Sequence, residues 1–214
     1  MHLADTPLFR KMAAADVEAM LPCLGTATRR YQRDERVLRA GEIATRIGVL
    51  LEGRLRIEAV DSWGRITILE TVSPGEPFAV AYALGGNSVL DVDVVAEVAS
   101  TVATLEAERI MRPCAKQCEC HVALVRNLLV SLANKNVAMN RRAMAIAPKT
   151  VRGKILAYLS LQQKIQGSSA FAIPFTQERL AAYLGIDRST LSAELSALRK
   201  EGVIAYRGKH FELL

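Results

Sequence analysis

Short apolar runs of period two fill the stretch from Tyr31 to Leu105. Val49-Leu50-Leu51, Leu55-Arg56-Ile57, Ile66-Thr67-Ile68-Leu69 and Val92 to Val98 are separated by Gly-Arg and Gly-Glu turns. Such alternation marks half-buried strands, because successive side chains on a strand point to opposite faces. Gly41, Gly53, Gly64 and Gly75 recur at intervals of 12, 11 and 11 residues. Each is read as a positive-φ corner or a close backbone approach where a strand turns into the next layer, with plain hairpin glycines as the simpler alternative. An antiparallel roll or barrel is the natural solution. Upstream, Leu8, Met12, Val17, Met20 and Leu21 fall near helical spacing, which predicts one or two short helices between Pro7 and Leu24 that cap the sheet.

Beyond the strands the period changes to that of a helix. From Cys118 to Ile146 there is neither glycine nor proline, and Val125, Leu128, Leu132, Met139 and Ile146 recur at 3, 4 or 7. This seam predicts a long helix that pairs with a second copy of itself through Val125, Leu128, Leu132 and Met139. Lys135 and Arg142 interrupt it, so a moderately stable dimer helix is expected rather than a rigid zipper. A Pro148-Lys149-Thr150 break follows, then a helix from roughly Val151 to Gln163 with Ile155, Leu156 and Leu159 inward, and a loop at Gly167-Ser168-Ser169.

The C-terminal segment carries a helix-turn-helix pattern. Thr176 is a good N-cap, Gln177 and Glu178 suit a first turn, Leu180, Ala181 and Leu184 form an inner face, and Gly185 supplies the left-handed residue that ends the helix. Asp187 then caps a second helix whose Leu191, Leu195 and Leu198 pack inward, which turns Arg188, Ser189, Ser192, Ala193 and Arg199 outward. Residues Ile204 to Leu213 alternate around Gly208-Lys209, as in a β-hairpin wing that offers Arg207, Lys209 and His210 to phosphates. In a DNA-reading pair of this kind the N-terminal residues of the second helix reach base edges. Arg188 is the strongest candidate reader, since a guanidinium can bond guanine O6 and N7 together. Thr176, Gln177, Ser189, Thr190, Ser192, Ala193, Arg199 and Lys209 complete the candidate interface.

Charge supports that reading by where it sits. Residues 149–214 hold ten Lys and Arg against five Asp and Glu, whereas residues 1–148 hold 18 against 17. A basic module beside a nearly neutral one is the footprint of a nucleic-acid binder. The 50% apolar composition is enough for buried cores. No run of 18 apolar residues and no basic-then-apolar leader is present, so a cytoplasmic protein without membrane contact is expected.

Gly41/Gly53/Gly64/Gly75, the Pro74-Gly75-Glu76-x-Phe78 turn, the long helix and Thr176-Gln177-Glu178-x-Leu180-Ala181-x-x-Leu184-Gly185-x-x-Arg188-x-Thr190-Leu191-Ser192 together resemble the cyclic-AMP receptor protein/FNR superfamily. The resemblance covers nearly the whole chain. It implies an α+β architecture: residues 1–117 as an antiparallel β-roll of cyclic-nucleotide-binding type (a double-stranded β-helix) with N-terminal helices, 118–147 as a dimerisation helix, and 148–214 as a winged helix-turn-helix. It further implies a homodimer on the double-stranded DNA of a pseudo-palindromic operator, with RNA polymerase as a further partner. Ala193 departs from the many relatives that carry arginine there, so their operator sequence does not transfer.

The sensor departs more sharply. Cyclic-nucleotide-binding members carry a Gly-Glu pair for the ribose and an Arg-Ser or Arg-Thr pair for the phosphate, whereas this chain has Ala79-Val80-Ala81 and Leu90-Asp91-Val92 there. Residues 66–108 contain no Lys or Arg and seven carboxylates: Glu70, Glu76, Asp91, Asp93, Glu97, Glu106 and Glu108. Burying a phosphate in such surroundings is opposed by several kcal/mol in order of magnitude. Cyclic AMP is therefore not expected; an apolar or neutral effector among Phe78, Val80, Tyr82, Leu84 and Leu90, or no ligand in that cavity, fits better. Cys114, Cys118, Cys120 and His121 cluster at the junction between the roll and the long helix and could hold zinc, iron or haem iron. A redox switch helped by Lys116 and buried incidental cysteines are the alternatives. Cys23 is read as a core residue. A cupin-like enzyme is disfavoured because the roll holds no histidine; the three are His2, His121 and His210.

Overall fold

A computed structural model describes residues 1–86, 88–112 and 119–214, which divide into two units, Met1–Ala133 and Asn134–Leu214. In the first unit, 3-10 turns at Leu3–Asp5 and Pro7–Phe9 and helix α1 (Ala14–Met20) precede strands β1 (Ala27–Tyr31), β2 (Arg36–Leu38), β3 (Arg46–Glu52), β4 (Leu55–Val60), β5 (Ile66–Val72) and β6 (Pro77–Phe78). Helix α2 (Val80–Leu84), strands β7 (Asp93–Ala96) and β8 (Ser100–Glu106), helix α3 (Ala107–Met111) and the long helix α4 (Glu119–Ile146) follow. The strands form two four-stranded sheets, β1-β8-β3-β6 and β2-β7-β4-β5, antiparallel throughout.

Period-two alternation sorts the first sheet between two cores. Tyr31, Leu50, Phe78 and Val102 point into the roll and meet Leu55, Val72, Val94 and Ala96 of the second sheet. Ile47, Val49, Ala103 and Leu105 point the other way, onto Leu8, Phe9, Val17 and Leu24 of the N-terminal segment and Leu124 and Leu128 of α4. Asn127 of α4 donates to the carbonyls of Leu8 and Arg10, both at 3.0 Å, and so satisfies backbone that the 3-10 turns leave open. Between Pro7 and Leu24 the predicted short helices are the 3-10 turn Pro7–Phe9 and the α-helix Ala14–Met20.

All four regularly spaced glycines have positive φ. Gly53 shows why: at φ 95° it turns the chain from β3 in one sheet into β4 in the other, and a Cβ there would strike the Ala99 carbonyl and Ser100. A strand corner this close to a neighbouring backbone admits no side chain.

Polar side chains also lock the second sheet. Glu58 is 3% exposed and accepts from Arg56 Nε at 2.6 Å, while Arg56 Nη1 reaches Asp34 at 3.0 Å. Asp93, the cross-strand partner of Glu58, accepts from Arg36 Nε at 3.2 Å and from the Ala40 amide at 2.7 Å.

The second unit holds the end of α4, helix α5 (Val151–Gln166), strand β9 (Ala170–Ala172), helices α6 (Gln177–Leu184) and α7 (Arg188–Lys200), and strands β10 (Ile204–Arg207) and β11 (His210–Leu213). Thr150 caps α5 by accepting from the Gly153 amide at 3.0 Å. The strands order as β10-β11-β9. Strand β9 follows the predicted loop: three residues are too few to show a period, and pairing with β11 makes them a strand.

Candidate nucleic-acid interface and effector sites

Local sequence builds the reading surface almost unaided. Thr176 accepts from the Arg179 amide at 3.3 Å to start α6, and Gly185, at φ 63°, ends it while the Ile186 amide returns to the Ala181 carbonyl at 3.1 Å. Asp187 occupies the cap position of α7, but its side chain makes no capping hydrogen bond. Leu191, Leu195 and Leu198 are wholly buried with Leu180, Leu184 and Ile204. Their spacing forces Arg188, Ser189, Ser192, Ala193 and Arg199 into solvent, and Thr190 is exposed as well. Arg188 makes no hydrogen bond or ion pair among the described residues. Arg199 lies 5.3 Å over the Tyr206 ring, which stacks on Phe211, so this cation is docked on the wing. Thr176 is exposed, Gln177 half-buried, and exposed Lys209 at the hairpin tip donates to the Pro174 carbonyl at 3.4 Å. Arg179, exposed in the first turn of α6, is a cation on this unit that periodicity did not single out.

Two contacts brace this unit. Arg152 at the start of α5 pairs with Glu201 at 3.1 Å and Glu194 at 3.8 Å, and the guanidinium holds the Glu201 carboxyl below its ordinary range. Arg142 Nε donates to the Tyr183 carbonyl at 3.1 Å and its guanidinium lies over the Tyr183 ring. Tyr183 packs with Tyr158 and Phe175; the buried Tyr158 hydroxyl has no hydrogen-bond partner among the described residues, and burial raises its pKa.

On α4 the predicted seam is redistributed. Leu128 is 2% exposed inside its own unit, and Val125 and Leu132 pack on the same core. Leu128 is therefore covered within its own protomer, while Val125 and Leu132 are half-buried. Met139, at 65%, is exposed. The helix presents a different stripe to solvent: Val122 and Leu129, seven apart, then Ala133, Asn136, Asn140 and Met144. Asn140 donates to the Asn136 side chain at 2.9 Å. Two apolar faces on one helix blur the period that sequence alone displays.

The expected effector residues do not surround one cavity. Val80 and Leu84, one helical turn apart on α2, both pack on the N-terminal core; Leu90 is 2% exposed; Tyr82 donates its hydroxyl to Asp91. Phe78 alone of the five borders a cavity of about 300 Å³ that opens between β1, β2 and β3. The Asp91 hydrogen bond pushes the Tyr82 phenol from its ordinary 10.0 up to about 12. A folded-state pKa above the unfolded one means that this bond contributes fully below pH 10 and is lost as pH rises toward 12. Spectrophotometric titration should show one phenol ionising near 12 that disappears in Tyr82→Phe and moves back toward 10 in Asp91→Asn.

Cys114 and Cys118 lie outside the described residues. Cys120 is half-buried against the N-terminal core. His121 Nε2 is 2.7 Å from the Ile110 carbonyl, which can only accept, so Nε2 is the donor in this contact. Cys23 is exposed, contrary to the core assignment, because α1 ends at Met20 and Cys23 falls in the following turn. Among the described residues no three His, Cys, Asp or Glu are placed to hold a metal, and no helix is long and apolar enough to cross a membrane.

Comparison with known proteins gives a consistent picture. Residues 28–117 match the cyclic nucleotide-binding domain and residues 153–214 the Crp-like helix-turn-helix domain. The chain is 35% identical over 75 residues to the transcriptional activator protein FnrL of Cereibacter sphaeroides, a match spanning 31% of this chain and 30% of that one. It is 24% identical over 216 residues to the probable transcriptional regulator flp of Lacticaseibacillus casei, covering 99% and 93%. The solved structure of the c-di-GMP responsive global regulator CLP of Xanthomonas campestris superposes with a TM-score of 0.58 at 21% identity, over 94% of this chain and 99% of that one. At that identity the likeness establishes the fold.

Proposed function

The chain belongs to the Crp/Fnr superfamily of transcription regulators, and on that premise we propose that it acts as a cytoplasmic homodimer which reads a roughly palindromic operator and answers to an effector other than cyclic AMP. The observation that carries the DNA reading is the exposed Arg188-Ser189-Ser192 face of α7, held rigid by three wholly buried leucines in a module with twice as many cations as carboxylates. Arg188 supports base readout, and Lys209 on the wing supports phosphate contact.

The pairing surface is the exposed stripe of α4. Val122, Leu129 and Asn136 stand seven apart, with Arg126, Ala133 and Asn140 four residues after each. Residues spaced this way form the seam of a two-stranded coil, and buried asparagines in such a seam fix register at a cost in stability. An effector acts by binding one arrangement of the two copies better than the other. Cyclic AMP is a poor candidate: Val80 is packed in a core and Asp91 places a carboxylate where relatives carry a phosphate-binding pair.

Fluorescence anisotropy on operator and random duplexes tests the reading. Affinity should fall steeply with salt as phosphate neutralisation releases counterions. Arg188→Ala should weaken operator binding by about 1–3 kcal/mol and leave random DNA nearly unchanged, while Lys209→Ala lowers both equally. Equal losses on the two duplexes for Arg188→Ala would reject base reading by that side chain.

A further inference from the structure

The open end of the roll combines features that the stretch 66–108 lacks. The cavity of about 300 Å³ there is lined by apolar side chains, Phe78 and Leu38 among them, by the hydroxyl-bearing Tyr31, Thr45 and Thr104, and by two guanidiniums, Arg29 and Arg46; among the described residues no carboxylate lines it. Gly48 makes this floor possible, since a Cβ there would occupy the place of the Phe78 ring. We propose that this cavity binds a small monocarboxylate with an apolar tail, its carboxylate on Arg46 and Arg29 and its tail on Phe78 and Leu38. On the regulator reading given above, such a molecule is the effector.

The two cations differ in a way that suits such a ligand. Arg46 is fixed: Nε donates to Thr104 Oγ1 at 2.9 Å, Nη1 to Glu106 at 3.1 Å, and Nη2 to the Gly25 carbonyl. Glu106 also pairs with Arg109, so two guanidiniums share one carboxylate and the group retains one net positive charge. Arg29 lies at the rim with its side chain 68% exposed, stacked 4.7 Å over Tyr31 and paired with Glu35 at 2.8 Å. It can turn inward over a bound anion without unpacking a core. One uncompensated charge matches a monoanion, whereas a phosphate dianion calls for more charge-assisted donors than this site leaves open. The volume sits at the small end of the ~300–1,000 Å³ usual for small-molecule sites.

Titration calorimetry on the full chain without DNA, using octanoate, 1-octanol and inorganic phosphate, tests the proposal. Octanoate should bind about tenfold or more tightly than octanol, the worth of one charge-assisted contact, and phosphate should give no heat. Arg29→Gln, at an exposed position that leaves the roll intact, should weaken octanoate severalfold and leave octanol unchanged, Arg46 keeping the rest of the preference, and Ala27→Phe at the cavity lining should block both. Equal affinity of octanoate and octanol, no binding of either, tighter binding of phosphate, or an unchanged octanoate affinity in Arg29→Gln would each overturn it. Operator anisotropy is read separately: loss of DNA binding with octanoate binding intact counts against the regulator reading alone.

Discussion

Leu129→Glu is expected to yield a folded monomer, and Leu128→Glu an unfolded sensor unit. The two leucines are adjacent on α4, yet Leu128 is 2% exposed among Leu8, Phe9 and Val17, whereas Leu129 is 61% exposed on the opposite stripe. A carboxylate at 128 loses the packing of a buried leucine and gains an unpaired buried charge, costing about 4 kcal/mol or more. At 129 it touches solvent within the protomer, and the penalty appears when two copies meet. Light scattering at micromolar concentration should then report half the mass, circular dichroism should report an intact fold, and operator affinity should fall by roughly 100-fold as the second half-site contact ceases to be intramolecular. A dimeric Leu129→Glu protein would reject the stripe as the pairing surface.

Arg56→Met should lower the stability of the first unit by about 3–5 kcal/mol, the cost of leaving one member of a buried ion pair without its partner. Glu58 stands directly across from Asp93, so removing the guanidinium leaves two buried carboxylates facing each other on neighbouring strands. The double substitution Arg56→Met/Glu58→Leu should recover most of the loss, because a packed apolar pair of similar volume replaces a buried ion pair at little cost. Urea unfolding followed by circular dichroism measures both. A loss in the single variant that the double variant does not recover would mean that Arg56 acts through Asp34 or through packing.

Much of the DNA-facing unit was legible along the chain because its determinants are local. Thr176 and Gly185 act within one helical turn, and the 191/195/198 spacing marks the face that is buried. Strand alternation and the four glycines likewise announced the roll, since each positive-φ corner is a property of the residue itself. The effector region was less legible. Val80 and Leu84 looked like lining residues, but α2 turns both onto the N-terminal core.

By itself the sequence determined the succession of strand-rich roll, long helix and helix-turn-helix, the turn between the two reading helices, and the outward set led by Arg188, all set by contacts between near neighbours. Tertiary structure decided which stripe of α4 is covered and which cations reach the roll. The run from 66 to 108 is devoid of Lys and Arg, yet antiparallel pairing of β1 and β3 with β8 carries Arg29 and Arg46 to the rim of that same roll. Charge along a chain is a one-dimensional quantity, whereas a binding site sums charge over strands whose adjacency is settled only when the sheets close.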